Sequence, residues 1–298
     1  MIRIIPALCC VLAAAALPGC VTHRVEGDYF RANGVPIHYT DQGSGEPVIL
    51  VHGIAVNADL NWRRPGILKR LAKDYRVIAP DNRGHGLSGK PHGPAAYGAA
   101  LAEDIPRLMD HLGIQRAHLV GYSMGAFIAL KLAATHPDRF VTIIPCGGGW
   151  ERTDETGLAQ LEAIAHEIET ERRFNLLLRE VGLTQRGLDR VKVFVVNRVF
   201  RCINDTDAIA AVVRSLPELE VSEAELCANQ VPVLFAVGEH DPLRRGVENL
   251  EGVMQGHEIV YIRGGNHYST LNRRALVAAI RDFIEAHRDD RTSTGGET

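Results

Sequence analysis

Val120-Gly121-Tyr122-Ser123-Met124-Gly125-Ala126-Phe127 is the stretch that decides the fold. The apolar run Ala117-His118-Leu119-Val120 leads into it, and a helix-forming run, Ala126 to Ala134, leads out. A strand that turns at once into a helix forces the residue at the bend into strained backbone geometry and crowds its neighbours. Only residues without a Cβ fit at Gly121 and Gly125. The bend leaves the Ser123 hydroxyl exposed at the strand end. The helix that starts there aims backbone N–H groups at the same point, where an oxyanion could form. With 29 glycines in 298 residues, composition alone supplies roughly 0.07 chance matches to Gly-x-Ser-x-Gly. The strand before and the helix after therefore give the pattern its weight.

Outward from this bend the chain alternates. Val25 to Tyr39 reads as two short strands around Asn33-Gly34. Pro47 to Val51 and Arg76 to Ala79 are short, continuous apolar runs, the mark of strands covered on both faces. Helices are expected over Trp62 to Leu71 and Tyr97 to Leu112, with Pro106 kinking the second or delaying its start. Arg139 to Pro145 is a further strand. Pro232 to Val237 and Glu258 to Ile262 complete the set, with a short helix over Gly246 to Met254 and a closing one over Arg274 to His287. The expected fold is α/β, a doubly wound, mostly parallel sheet. Ligands bind such sheets outside the carboxyl ends of the strands. His52-Gly53, Asp81, Ser123 and Cys146 occupy such ends and are expected to line one edge.

Residues 150–225 interrupt the alternation with helical spacing alone, for example Leu161, Ile164 and Ile168. They read as a helical lid inserted between core segments 20–149 and 226–288. Asp205-Thr206 is a candidate helix cap within it. Residues 289–298 are polar and expected to be frayed.

A serine hydroxyl is a poor nucleophile until a base takes its proton, and imidazole does this near neutral pH. A carboxylate on the other ring nitrogen fixes the tautomer. His267 follows the last strand in Gly264-Gly265-Asn266-His267, and Asp241 follows the preceding strand in Gly238-Glu239-His240-Asp241. Glu239 is the rival acid. For the oxyanion, the donors expected are the backbone N–H groups of Met124 and Ile54, each typically worth about 3 kcal/mol in the transition state.

These residues, with Asp81-Asn82-Arg83-Gly84-His85-Gly86-Leu87-Ser88, resemble the α/β-hydrolase superfamily over about Gly27 to His287. The resemblance implies a Ser123-Asp241-His267 triad and hydrolysis through an acyl-enzyme. Family enzymes that open epoxides or remove halide use an aspartate nucleophile, and serine here argues against both. Asn82 stands where the family varies widely. Gly84-His85-Gly86-Leu87-Ser88-Gly89 also matches Gly-x-Gly-x-x-Gly, but it neither follows a strand directly nor opens a helix, so no dinucleotide is expected. No metal and no cofactor are expected.

The net charge of −3 offers no global attraction for nucleic acid. The first residues differ from the rest. Arg3, an apolar run over Ile4 to Leu17 and then Leu17-Pro18-Gly19-Cys20 resemble a bacterial lipoprotein signal. This implies removal of residues 1–19, a lipid anchor on Cys20, and a location at the periplasmic face of a membrane, touched through that anchor only. Cys146, Cys202 and Cys227 remain, expected as buried thiols or as one pair and one single.

The sequence thus points to an exported serine hydrolase acting on a small or medium carboxylic ester. A carbon–carbon hydrolase or acyltransferase with the same triad, or a binding module on the same fold, stays open. So does the oligomeric state.

Overall fold

The computed structural model describes residues 26–288 apart from 185 and 188. The signal segment 1–19, Cys20 and the tail 289–298 lie outside the described residues.

Eight strands form one sheet in the order β1-β2-β4-β3-β5-β6-β7-β8. β1 (Asp28–Ala32) and β2 (Val35–Gln42) make the hairpin expected around Asn33-Gly34, where both residues have positive φ. β2 runs antiparallel to β1 and to β4 (Arg76–Pro80). From β4 onward every pairing is parallel, through β3 (Pro47–Val51), β5 (Ala117–Tyr122), β6 (Phe140–Cys146), β7 (Val233–Gly238) and β8 (His257–Ile262).

The continuous apolar runs follow from helices on both faces. Side chains alternate along a strand, so Ile49 and Val51 enter one core while Val48 and Leu50 enter the other. The first core is closed by α2 (Ala99–His111) and α3 (Met124–Thr135). The second is closed by α1 (Ile67–Leu71), Trp62 and α10 (Arg274–Ala286).

Three expected helices differ in extent. The Trp62-to-Leu71 segment is split into a π-helical turn, Asp59–Arg63, and α1. Gly66 between them takes the left-handed conformation, at φ 77°. Pro106 does not delay α2, which starts at Ala99 and buries Leu101, Ile105 and Leu108 around it; that burial outweighs the missing amide donor. The helix expected over Gly246 to Met254 is α9 (Arg244–Glu248), followed by turns.

Between β6 and β7 the described chain is helical. α4 (Glu155–His166) is capped by Asp154 and runs into a π-helical turn, Glu167–Glu171. α5 (Asn175–Glu180) and α6 (Asp189–Ile203) follow, then α7 (Thr206–Ser215), capped by Asp205 as expected. α8 (Glu223–Cys227) carries a Ser222–Glu225 capping box. The helical block has its own core, with Ile164, Ile168, Phe174, Leu178, Val196 and Phe200 at its centre. α7 joins the two bodies: Ile209 and Val213 pack into the block, Ala208 and Val212 into the sheet's core.

Candidate active site

The bend at Ser123 has the geometry that its glycines require. Ser123 sits at φ 56°, ψ −115°, the conformation a short strand-to-helix turn imposes. A Cβ on Gly121 would lie 1.9 Å from the Gly125 carbonyl oxygen, and one on Gly125 would lie 2.2 Å from that of Val51. Substitution at either would push β5, α3 and β3 apart.

Three side chains distant in sequence meet there. Ser123 Oγ lies 3.1 Å from His267 Nε2. His267 Nδ1 lies 3.1 and 3.0 Å from the two Asp241 oxygens. With Nδ1–H donating to Asp241, Nε2 is left to accept from the Ser123 hydroxyl. Asp241 follows β7 and His267 follows β8, neighbours in the sheet, so one rim positions both. Glu239 does not reach His267; its Oε2 accepts the Gly264 N–H at 2.8 Å. The Tyr122 hydroxyl donates to the His267 carbonyl oxygen at 2.5 Å and fixes that turn from below.

The loop after β3 is held at almost every step. Gly53 N–H donates to Asn61 Oδ1 at 3.1 Å, Ala55 N–H to His85 Nε2 at 3.1 Å, and Ala58 N–H to Asp81 Oδ1 at 3.0 Å. The Ala55 carbonyl accepts from Asn204 Nδ2 at 2.9 Å, and Ala55 sits at φ 58°. Among the described residues the Ile54 N–H has no acceptor, and neither has the Met124 N–H at the start of α3. These are the two donors the sequence reading singles out.

Two histidines, His52 just after β3 and His85 in the loop after β4, anchor this segment. His52 Nδ1 donates to the Gly53 carbonyl at 2.7 Å and its Nε2 accepts from Asn82 N–H at 2.9 Å. His85 Nδ1 donates to the Arg83 carbonyl while Nε2 takes the Ala55 N–H. Both rings must be neutral to do this. Burial lowers the His52 pKa, and burial with the neighbouring His52 ring lowers that of His85 to about 3.

His52, Asp81 and Cys146 sit at strand ends on one edge, as expected, but all three are buried, and none is among the described residues that line the two cavities at Ser123. Asp81 accepts from His38 Nδ1 and from the Ala58 and Leu87 N–H groups. Burial opposes its charge, yet the His38 bond and the backbone donors hold its pKa below the usual range. Gly86 is needed because a Cβ there would lie 2.3 Å from Asp81 Oδ2. The Gly-x-Gly-x-x-Gly stretch thus wraps a carboxylate. Burial pushes the Cys146 thiol up, so it is no rival nucleophile. Cys202 and Cys227 are exposed, not buried as one reading had it.

Two cavities meet at Ser123. One of about 290 Å³ is bounded by Met124, Phe127, Trp150, Leu161, Ile164 and Val221, with Glu151 and Glu180 also in its wall. Partial burial, then the Glu180 carboxylate, raise the Glu151 pKa. The other, about 80 Å³, lies on the His267 side. Ile54, Ser123, Leu177 and Val181 face both. The helical block supplies Leu161, Ile164, Leu177 and Val181, so it roofs the nucleophile.

Sequence reading missed Asn61, Asn82, His85 and Asn204 as supports of the loop, and it drew nothing from Asn82. Asn61 acts on a backbone group eight residues away, Asn82 and His85 on groups thirty residues away, and Asn204 on Ala55 across 149 residues. No local pattern marks such a partner.

Comparison with known proteins agrees with this fold. A family model described as the alpha/beta hydrolase fold matches residues 46–191. The chain is 37% identical over 118 residues to 2-hydroxymuconate semialdehyde hydrolase of Pseudomonas sp. (strain CF600), covering 39% of this chain and 41% of that one. It is 34% identical over 122 residues to epoxide hydrolase 3 of Siraitia grosvenorii, covering 41% and 38%. The chain thus matches less than half the length of these curated relatives. Among solved structures, the enol-lactonase from Burkholderia xenovorans LB400 superposes with a TM-score of 0.71 at 25% identity, over 87% of this chain and all of that one (100%).

Proposed function

We propose that this chain, an α/β-hydrolase-fold protein, is a serine hydrolase that cleaves small or medium carboxylic esters through an acyl-enzyme. The observation that carries the reading is the Ser123–His267–Asp241 chain of hydrogen bonds at one rim of the sheet, beside two unengaged backbone donors. Ser123 Oγ attacks the ester carbonyl while His267 Nε2 takes its proton. The carbonyl oxygen becomes an oxyanion facing the Ile54 and Met124 N–H groups. Collapse expels the alcohol, which receives the proton from His267. Water, deprotonated by the same imidazole, then frees the acid. Asp241 keeps the ring in the required tautomer and stabilises the imidazolium.

The helical block over residues 150–225 acts as the lid that shapes the acyl site. Its mostly apolar lining suits a hydrocarbon acyl chain. A serine at the bend supports ester cleavage over epoxide opening, although an epoxide hydrolase is among the relatives. Carbon–carbon bond hydrolysis with the same three side chains is the second reading, favoured by the semialdehyde hydrolase likeness.

Ethyl esters from acetate to dodecanoate, followed by titration of the released acid, test the reading. Turnover is expected in the wild type and a loss of at least ~10³-fold in Ser123→Ala. Labelling of Ser123 by a fluorophosphonate is expected as well. A protein that neither turns over any ester nor takes the label is not this enzyme.

We also propose export and lipid attachment at Cys20, which rests on the sequence of residues 1–20 alone. Mass spectrometry of the membrane fraction should find an acylated amino-terminal cysteine. Cys20→Ser should release the protein; persistence of that variant in the membrane fraction would argue against the anchor.

A further inference from the structure

Two residues that line the smaller cavity carry buried hydrogen-bond donors without partners among the described residues. Asn61 is 3% exposed, and its Oδ1 accepts the Gly53 N–H, which settles the orientation of the amide. Its Nδ2 is left with no acceptor. The Tyr268 hydroxyl is likewise buried and has none. Both side chains line the same compartment of about 80 Å³. Native proteins leave very few buried polar atoms unpaired, and two on one small cavity beside a nucleophile point to a ligand.

The compartment's other walls define that ligand. Ile54, Val56, Leu178, Phe200 and Leu271 make them hydrocarbon, and among the described residues no lysine or arginine lines the space. A carboxylate would be buried there without a counter-charge, beside Asp241, at large cost. A neutral acceptor oxygen matches the two donors. Burial, and then the Asp241 charge, raise the Tyr268 pKa, so its hydroxyl stays a donor.

The reaction fixes which half of the ester goes there. His267 must hand its proton to the departing oxygen, and His267 lines this cavity but not the larger one. The alcohol half therefore lies in the small compartment and the acyl half in the 290 Å³ cavity.

We propose that the small cavity is a leaving-alcohol subsite for a short alcohol bearing a neutral acceptor oxygen (ether, keto or hydroxyl), read by the Asn61 amide and the Tyr268 hydroxyl. This rests on the ester-hydrolase reading and narrows it to esters of oxygenated short-chain alcohols.

Two esters of equal size test it, 2-methoxyethyl butanoate and n-butyl butanoate, which differ by an oxygen in place of a methylene. The wild type should favour the ether ester in kcat/KM by at least ~10-fold, since the hydrocarbon analogue leaves both donors buried and unpaired. Tyr268→Phe removes a hydroxyl that has no protein partner, and it should cut that preference at least ~3-fold. A change confined to folding or to active-site assembly would scale both esters alike and leave their ratio untouched. Equal turnover of the two esters, or a preference that survives in Tyr268→Phe, overturns the subsite and leaves the ester-hydrolase reading standing. Failure to cleave either of them or any ethyl ester overturns both.

Discussion

The rim of the sheet and the helical block above it are built by opposite means. At the rim, hydrogen bonds fix backbone atoms one by one: His85 on Ala55, Asn61 on Gly53, Asp81 on Ala58, Tyr122 on His267. In the block, apolar side chains interlock, as where Phe174 meets Phe200 edge to face at 5.2 Å. The block also leaves Phe194 71% exposed and Val191 59% exposed on α6. Directional bonds hold reacting atoms to fractions of an ångström, while packing defines the shape above them. The rim is suited to the chemistry and the block to the choice of substrate.

Three changes should separate the two regions. The largest effect is expected from Asp241→Asn, which alters the rim alone. The amide offers His267 Nδ1 a different partner and allows the wrong tautomer, so kcat should fall roughly 10³–10⁴-fold. The melting temperature and the chain-length preference should hardly move. A loss below tenfold would mean that Asp241 does not orient the ring. Phe174→Ala should do the converse. It empties a fully buried site in the block and should cost about 3–5 kcal/mol in denaturant unfolding. Turnover of the shortest esters should survive better than that of long ones; a uniform loss would show that the two regions are not separable.

Per pH unit, acidity gives the smallest effect. The His85 pKa lies near 3 in the fold, against about 6.5 unfolded, and His52 is shifted the same way. The unfolded chain therefore binds more protons between those values, and stability falls as pH falls. The His85 contribution is complete above about pH 6.5 and is lost toward pH 3, by at most ~1.4 kcal/mol per pH unit, and the His52 ring adds in the same direction. Melting scans should be flat from pH 7 to 8 and decline below about 6.5. His85→Asn should flatten that decline, and an unchanged slope would remove the ring from the account.

The contrast also explains what the sequence made legible. Ser123, its flanking glycines and the strand ends at Asp241 and His267 are written locally, in short patterns set by backbone geometry. Of two acids two residues apart, the register of β7 and β8 turns Asp241 toward His267 and Glu239 toward Gly264. No spacing rule states this. His52, Asp81 and Cys146 are legible as strand ends, but their burial is not. A side chain at a strand terminus can face inward, and these do. The block was visible as helical, but its pairing of Leu161, Leu177 and Val181 around the nucleophile depends on contacts across the chain. So does the grip of Asn204 on Ala55.

That grip ties the roof to the machinery. Asn204 follows α6 and holds the carbonyl next to the Ile54 amide, in a residue that adopts an unfavourable backbone angle. If the helices swung away, the tether would part, and Ala55 could relax toward an easier conformation and carry its neighbour's amide off target. Closure and readiness to react would then be a single event, with the open state idle toward passing water.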